Sequence, residues 1–507
     1  MKKNNNAKKK GLQVSLLLIC LFCSSLTSTS ASEPIELKKE TDLWGVLTDE
    51  NNQPIQGVVV SDGFSSVQTD AKGVYQLKRN PQADHVFYST PATCKVEVVH
   101  ENNSLAKFYR ELKEDQERYD FQLERLPAVE NRFTLFSIGD PQVKDEKEAN
   151  RFREDIVKDM HQSLKETKSP HYALVMGDLM HIDPLVFPSM KQAIGEIGVP
   201  TFLTIGNHDK LKGATKEEPR NATLYQQYFG PRNYSFNRGK VHFIAIDNII
   251  YANEKSYRGG FTDEQVEWLK GDLSFVPKDN LIILFYHIPL RNHKYNNRKE
   301  VLELLEGFAE VHLMSGHTHY TENFTITSPI KAYEHVHSAA CGAWWWSVVN
   351  GDGTPNGYAV YEIDGNKMRN WYYKSAKFDK SHQMRLYRGN AKFGGEHGYF
   401  TFGEEEDVLI ANVWNADPNW KIEIYEDGVK QGEMKPWKAK TDAWAQGFHI
   451  GVVGRKEANY SQPAKHLFIH KLNNPKAEVL VVATDPFGNR YMENKITTDL
   501  ETAGQYK

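Results

Sequence analysis

Between Phe133 and Met314 the chain carries six short apolar runs, "FTLFSI", "YALVM", "TFLTI", "VHFIAI", "LIILFY" and "VHLM". Each is the length of a strand, and each is apolar at successive positions rather than alternate ones. That is the pattern of a strand buried on both faces. Three intervening stretches, "EANRFREDIVKDMHQSLKET", "PSMKQAIGEIG" and "TDEQVEWLKGDL", repeat their apolar residues with helical period. Buried strands interleaved with amphipathic helices predict an α/β domain. On either side the texture differs. "LWGVLTDENNQPIQGVVVSDG" and "SSVQTDAKGVYQLKRN" alternate β-branched and polar residues between Asn-Asn, Asp-Gly and Lys-Gly turns, which predicts a small β-sandwich. After about Lys377, "WKIEIYEDGVK" and "AEVLVVATDPFGNRY" read as a further β-rich domain. The predicted division is 1–32 leader, 33–127 N-terminal β-sandwich, 128–377 catalytic domain and 378–507 C-terminal β domain.

The leader follows from "MKKNNNAKKK", with five lysines and no acid, then the apolar "GLQVSLLLICLFC" and the small, polar "SSLTSTSASE". This order is that of a secretory signal peptide, cleaved near Ala31 or Ser32, and its apolar part is short for a membrane span. Bulky Ile19 and Phe22 beside Cys20 and Cys23 make a poor lipoprotein signal. The expected location is periplasmic or extracellular. No later run is long enough to cross a bilayer. Loss of the leader's lysines takes the formal charge from −4 to −9, so the overall field does not attract nucleic acid or anionic membrane. The cysteines left, Cys94 and Cys341, are expected as buried thiols. Oligomeric state is left open.

Five of the apolar runs end in a residue able to hold a metal. "FTLFSI" runs into Gly139-Asp140-Pro141-Gln142 and "YALVM" into Gly177-Asp178, with His181 three residues on. "TFLTI" leads to Gly206-Asn207-His208-Asp209, "LIILFY" to His287, and "VHLM" to Gly316-His317-Thr318-His319. The carboxyl ends of strands are where α/β sheets bind ligands. Any one of these turns is ordinary, but five at one edge form a constellation. Two divalent ions a few ångströms apart need a bridging carboxylate, and Asp178 is the natural bridge. Asp140, Gln142 and His319 complete one ion; Asn207, His287 and His317 complete the other. Imidazole, carboxylate and amide oxygen suit Mn, Fe or Zn. Such a pair polarises a phosphoryl oxygen and makes a bridging water a hydroxide nucleophile near neutral pH. His208, next to a ligand, is placed to protonate the leaving oxygen or steady phosphoryl charge. Asp209 of the same turn is grouped with it as catalytic.

In order, Asp-x-Gln, Gly-Asp-x-x-His, Gly-Asn-His-Asp, His and Gly-His-x-His resemble the calcineurin-like metallophosphoesterase superfamily. The resemblance implies an αββα sandwich and hydrolysis of phosphate mono- or diesters or pyrophosphate bonds at a two-metal centre. It gives His208 the catalytic histidine's place. Gln142 departs from the commoner histidine at the first motif, a variation that some members carry, and a weaker neutral ligand there would loosen the first ion or leave it mostly water-bound. "TDAKGVYQL" resembles the regulatory-like modules of secreted bacterial proteins, and "GAWWWSVVNGDGTPNGYAVYEIDGNK" resembles the lead into the C-terminal domain of exported members. For substrate contacts the sequence offers His181, Arg258, Arg291, Trp344 and Trp345. Each also has a plainer reading: His181 as a partner of Asp183, the arginines as solvated surface, the tryptophans as packing between domains. The substrate class is a phosphate ester of small-molecule or envelope origin. The rival readings are a phosphoprotein phosphatase and a non-catalytic binding protein that keeps the fold.

Overall fold

A computed structural model describes residues 35–101, 103–211, 218–253, 256–437, 440–456 and 460–506. The predicted leader lies outside the described residues. The chain divides into two units, Met1–Lys39 and Glu40–Lys507; of the first, residues 35–39 are described and hold no strand or helix. Everything below concerns the second.

Two sheets form its centre. One has seven strands, in the order Lys367–Ser375, Gly357–Asp364, Arg132–Ile138, His171–Val175, Thr201–Leu203, Asn103–Ala106 and Val98–His100. The other has six: Tyr234–Arg238, Val241–Ala245, Leu281–Phe285, Glu310–Ser315, Ala332–Val336 and Glu322–Ile326. Within the first, Arg132–Ile138 pairs in parallel with His171–Val175, and that strand with Thr201–Leu203. Within the second, Val241–Ala245, Leu281–Phe285 and Glu310–Ser315 are parallel. Strand alternation explains why the runs read as continuously apolar. Phe133 and Leu135 join a core with Phe243, Ile283 and Leu313 of the second sheet. Phe136 and Ile138 belong to another core, with Phe152, Ile156 and Met160 of the covering helix and Phe187 and Met190 of the next.

The helix predicted from residue 148 runs as Glu146–Phe152, a π turn over Arg153–Val157, and Lys158–Ser163, with Asp145 accepting from the Glu148 N–H at its start. The stretch from Thr262 forms Asp263–Leu273, closed at its start by a reciprocal Thr262–Gln265 capping box.

The N-terminal region folds as two small sheets, of three and four strands. It is not walled off: Asn103–Ala106 and Val98–His100 extend the seven-stranded sheet, and Leu47 and Tyr88 share the core of the central sheets. Beyond Met384 two four-stranded sheets carry cores of their own. Asp352, on the Gly-rich loop after the tryptophans, accepts from Thr321 N (2.9 Å) and Thr354 Oγ1 (3.0 Å) and lies 3.0 Å from His466 Nε2. It joins the chain just after His319 to the C-terminal sheets. Cys94 and Cys341 are both free and buried. Among the described residues no helix is long and apolar enough to cross a membrane.

Candidate metal centre

The five strand ends converge. Three belong to the seven-stranded sheet and two to the six-stranded one, so the site lies where the edges of both sheets meet. Asp140, Gln142, Asp178, His317 and His319 all hold left-handed backbone, with φ between 36° and 69°. For residues with side chains that conformation costs roughly 1–2 kcal/mol each, and it is tolerated where the surroundings enforce it. Here it turns each side chain back toward a common point at the end of its strand. Gly206 lets the third turn pass against the second: a methyl group there would lie 2.7 Å from Asp178 Cα and closer to its N and Oδ1.

Second partners orient the ligands. His287, wholly buried, directs Nδ1 at the Met176 carbonyl (2.6 Å), which fixes Nδ1 as donor and leaves Nε2 3.2 Å from Asp178 Oδ2 and 3.1 Å from Asn207 Oδ1. Its backbone N–H and that of Ile288 both bond Asn248 Oδ1. Asp140 accepts the His317 N–H at 3.0 Å. Asp178 Oδ1 accepts the His208 N–H at 2.8 Å. His319 stacks on Trp344, ring centroids 4.5 Å apart.

Electrostatically the cluster calls for a cation. Burial pushes the Asp140 carboxyl well above its usual range, against the pull of His287. Burial would raise Asp178 too, but His287 and His208 outweigh it and hold that carboxyl low. His287, which burial would lower, is pushed up to about 9, chiefly by Asp178. Burial takes His317 and His319 down to about 3, so both are neutral and able to ligate. Gln142 Oε1 and His319 Nδ1 are buried with no hydrogen-bond partner. Asp178, His287 and His317 offer ligand atoms within 4.8 Å of one another. Buried carboxylates, neutral imidazoles and an idle amide oxygen fit divalent ions of the Mn, Fe and Zn type.

A cavity of about 370 Å³ opens over these groups, lined by Gln142, Asp178, Asn207, His208, His317 and His319, and also by Tyr257, Tyr320, Trp344 and Gln462. The His208 Nδ1–H is engaged by the His181 carbonyl, with the two rings stacked 5.3 Å apart. That leaves Nε2 as the nitrogen able to serve a substrate. A second cavity, about 300 Å³, shares Gln142, His208 and Trp344 and adds His181, Lys144, Glu148, Trp346 and Tyr460.

Several sequence expectations are redirected. Asp209 does not line either cavity. Its carboxylate accepts from the N–H groups of Leu179 (2.7 Å), Met180 (3.2 Å) and Gly206 (2.8 Å), so it braces two ligand loops. Burial pushes it up to about 7. Trp345 is buried, its Nε1–H bonded to the Pro141 carbonyl at 2.8 Å; Trp344 and Trp346 line the cavities in its stead. Arg291 pairs with Glu322 and lies over the Phe324 ring. Arg258 is exposed on the strand Ser256–Gly259 and lines neither cavity, whereas its neighbour Tyr257 does. Asp183 caps a short helix by accepting from Leu185 N. Tyr257, Tyr460 and Gln462 carried no signal in the sequence, since no motif surrounds them.

The sequence is similar to known proteins in the following respects. A glycerophosphodiester phosphodiesterase of Enterobacter lignolyticus is 27% identical over 169 residues, covering 31% of this chain and 58% of the relative's length. A dimetal phosphatase from Danio rerio superposes with TM-score 0.33 at 15% identity, over 48% of this chain and 96% of that one. A purple acid phosphatase from yellow lupin seeds gives 0.32 at 12%, over 57% and 52%. Family models match along most of the sequence: the N terminal of calcineurin-like phosphoesterase at residues 41–126, calcineurin-like phosphoesterase at 133–321, and the C terminal of calcineurin-like phosphoesterase at 334–491. With these three matches in chain order, and the motif residues gathered at one point, the chain belongs to the calcineurin-like phosphoesterase superfamily.

Proposed function

We propose that this protein is an exported metallophosphoesterase that hydrolyses phosphate mono- or diesters at a centre of two divalent ions. The observation that carries the reading is the convergence of Asp140, Gln142, Asp178, Asn207, His287, His317 and His319 on one point, with five of the seven held there by left-handed backbone. Asp178 would be shared, Asp140, Gln142 and His319 serving one ion and Asn207, His287 and His317 the other. The ions would polarise the phosphoryl group and lower the pKa of an attacking water.

The chain's own residues then have defined tasks. The His181 carbonyl holds His208 Nδ1–H, so a protonated His208 can give its Nε2 proton to the departing oxygen as the P–O ester bond breaks and water oxygen bonds phosphorus. Asp178 keeps His208 in place through its backbone N–H. Trp344 and Tyr257 line the cavity over the ligands. Diester substrates are supported by the relative that acts on glycerophosphodiesters, and export by the leader-like composition of residues 1–32. A non-catalytic role is disfavoured because the ligands and His208 are all present and oriented.

The test is turnover of p-nitrophenyl phosphate and bis(p-nitrophenyl) phosphate with added Mn, beside His208→Ala. Metal-dependent release of nitrophenol that the variant loses supports the reading. Full metal occupancy with no turnover of either ester counts against it.

A further inference from the structure

The second cavity lies outside the phosphoryl site but opens beside it. Gln142, His208 and Trp344 line both chambers, so a substrate with its phosphorus over the ligands would have the arm on the His208 side enter the second one. His208 is the residue assigned to the leaving oxygen; the arm in that chamber is therefore the leaving group. Its walls are largely aromatic. Trp344 and Tyr460 rings lie 5.0 Å apart, Trp346 completes the wall, and the His181 ring is stacked on His208. The Trp346 indole is held by the Arg455 guanidinium, 3.5 Å from the ring centroid. Among the described residues that line the chamber, Lys144 and Glu148 carry opposite charges and are paired with each other. An aromatic chamber of about 300 Å³ whose described acid and base are paired favours an uncharged ring with a face to stack over a short acyclic alcohol or a second phosphate.

Resting on the esterase reading, we infer that this chamber is a leaving-group subsite selecting phosphate esters of ring-bearing alcohols, with Trp344, Trp346 and Tyr460 as its specificity residues. The ring is a heteroaromatic base on a sugar or a pyranose itself. Both present a face to stack, and the experiment separates them.

Adenosine 5′-phosphate, glucose 6-phosphate and glycerol 3-phosphate all release a primary alkoxide and differ in what it carries. These three and their methyl diesters are compared by kcat/KM with Mn, alongside p-nitrophenyl phosphate. One ring stacked on an aromatic wall gives a preference of about tenfold or more over glycerol. Which ring is preferred identifies the source. In Trp346→Ala, a residue over a third exposed, the ratio falls toward one; Tyr460→Ala gives an independent second reading. Turnover of p-nitrophenyl phosphate with ring-to-glycerol ratios within twofold of one, or ratios that neither variant changes, overturns the subsite and leaves the esterase reading standing. Absence of metal-dependent turnover of every ester overturns both.

Discussion

Gly206→Ala is the substitution for which the structure makes the sharpest demand. Its φ is not left-handed, so alanine's backbone preference is no obstacle; the cost is steric. The added methyl would lie 2.7 Å from Asp178 Cα and nearer still to Asp178 N and Oδ1, where ordinary contact begins at 3.4 Å. The shortest contact, 2.0 Å to Asp178 N, must therefore open by about 1.4 Å to reach ordinary contact. Asp178 cannot move freely, because its Oδ1 accepts the His208 N–H, its Oδ2 faces His287, and its carbonyl accepts the Gln142 N–H at 2.8 Å. Overpacking of this kind costs about 1–3 kcal/mol in stability. A displacement approaching 1 Å at a catalytic group costs on the order of 100-fold in rate. The expected result is a kcat/KM lower by about two orders of magnitude, reduced metal content and a lower melting temperature. Gly271→Ala is the control, since nothing lies within 4 Å of its added methyl and it sits in the helix Asp263–Leu273; it should stabilise by about 0.5–1 kcal/mol. Metal analysis, thermal melts and aryl-ester kinetics on the two variants read this out. If Gly206→Ala holds wild-type metal and keeps its rate within threefold, the close packing of the two ligand loops is not what positions Asp178.

Other outcomes follow from single contacts. Glu334 is fully buried and burial pushes its carboxyl up to about 7 from the ordinary 4.5, despite donors from Tyr286, Leu290 and Ser315. A raised carboxyl binds its proton more tightly in the folded state, so stability falls as pH rises from about 4.5 to 7 and stays lower above it. At about 1.4 kcal/mol per pH unit the penalty is roughly 3 kcal/mol. Glu334→Gln should thus gain about that much by urea titration at pH 8 and nothing at pH 4; equal effects at both would sink the assignment. His208→Ala should lower kcat by about 10²–10⁴ while metal content, read by elemental analysis, stays at the wild-type level. Chelation should abolish turnover and lower the melting temperature, both restored by Mn, because ions that bind only the folded chain stabilise it. Trp345→Phe loses the bond to the Pro141 carbonyl and should cost about 1 kcal/mol in a thermal melt with kcat unchanged.

The cluster at the strand ends was legible because each candidate ligand lies within a few residues of the end of a buried strand, which the apolar run marks. His317 and His319 were harder to read in detail. Residues two apart in a strand share a face, yet both sit past the strand on left-handed backbone, at φ 69° and 55°. The tryptophan run misled for the same reason: Trp344 and Trp345 are both left-handed, so neither strand nor helix periodicity says which indole faces the cavity. Arg291 is neutralised by Glu322, thirty-one residues on in sequence, and only the fold brings them together. Tyr257, Tyr460 and Gln462 reach the site through tertiary packing of segments with no motif of their own. The N-terminal strands that extend the central sheet do so through backbone pairing at its edge, which side-chain pattern does not encode.

Part of the wall of each chamber comes from a stretch that carries none of the candidate ligands. Every ligand lies between Asp140 and His319, whereas Trp346, Tyr460 and Gln462 follow in the C-terminal third, tied in by Asp352 and His466. On the proposed reading, the aromatic part of the leaving-group chamber thus lies outside the stretch that would hold the ions. Substitutions at Trp346, Tyr460 and Gln462 would reshape the chamber walls and leave the stretch from Asp140 to His319 untouched.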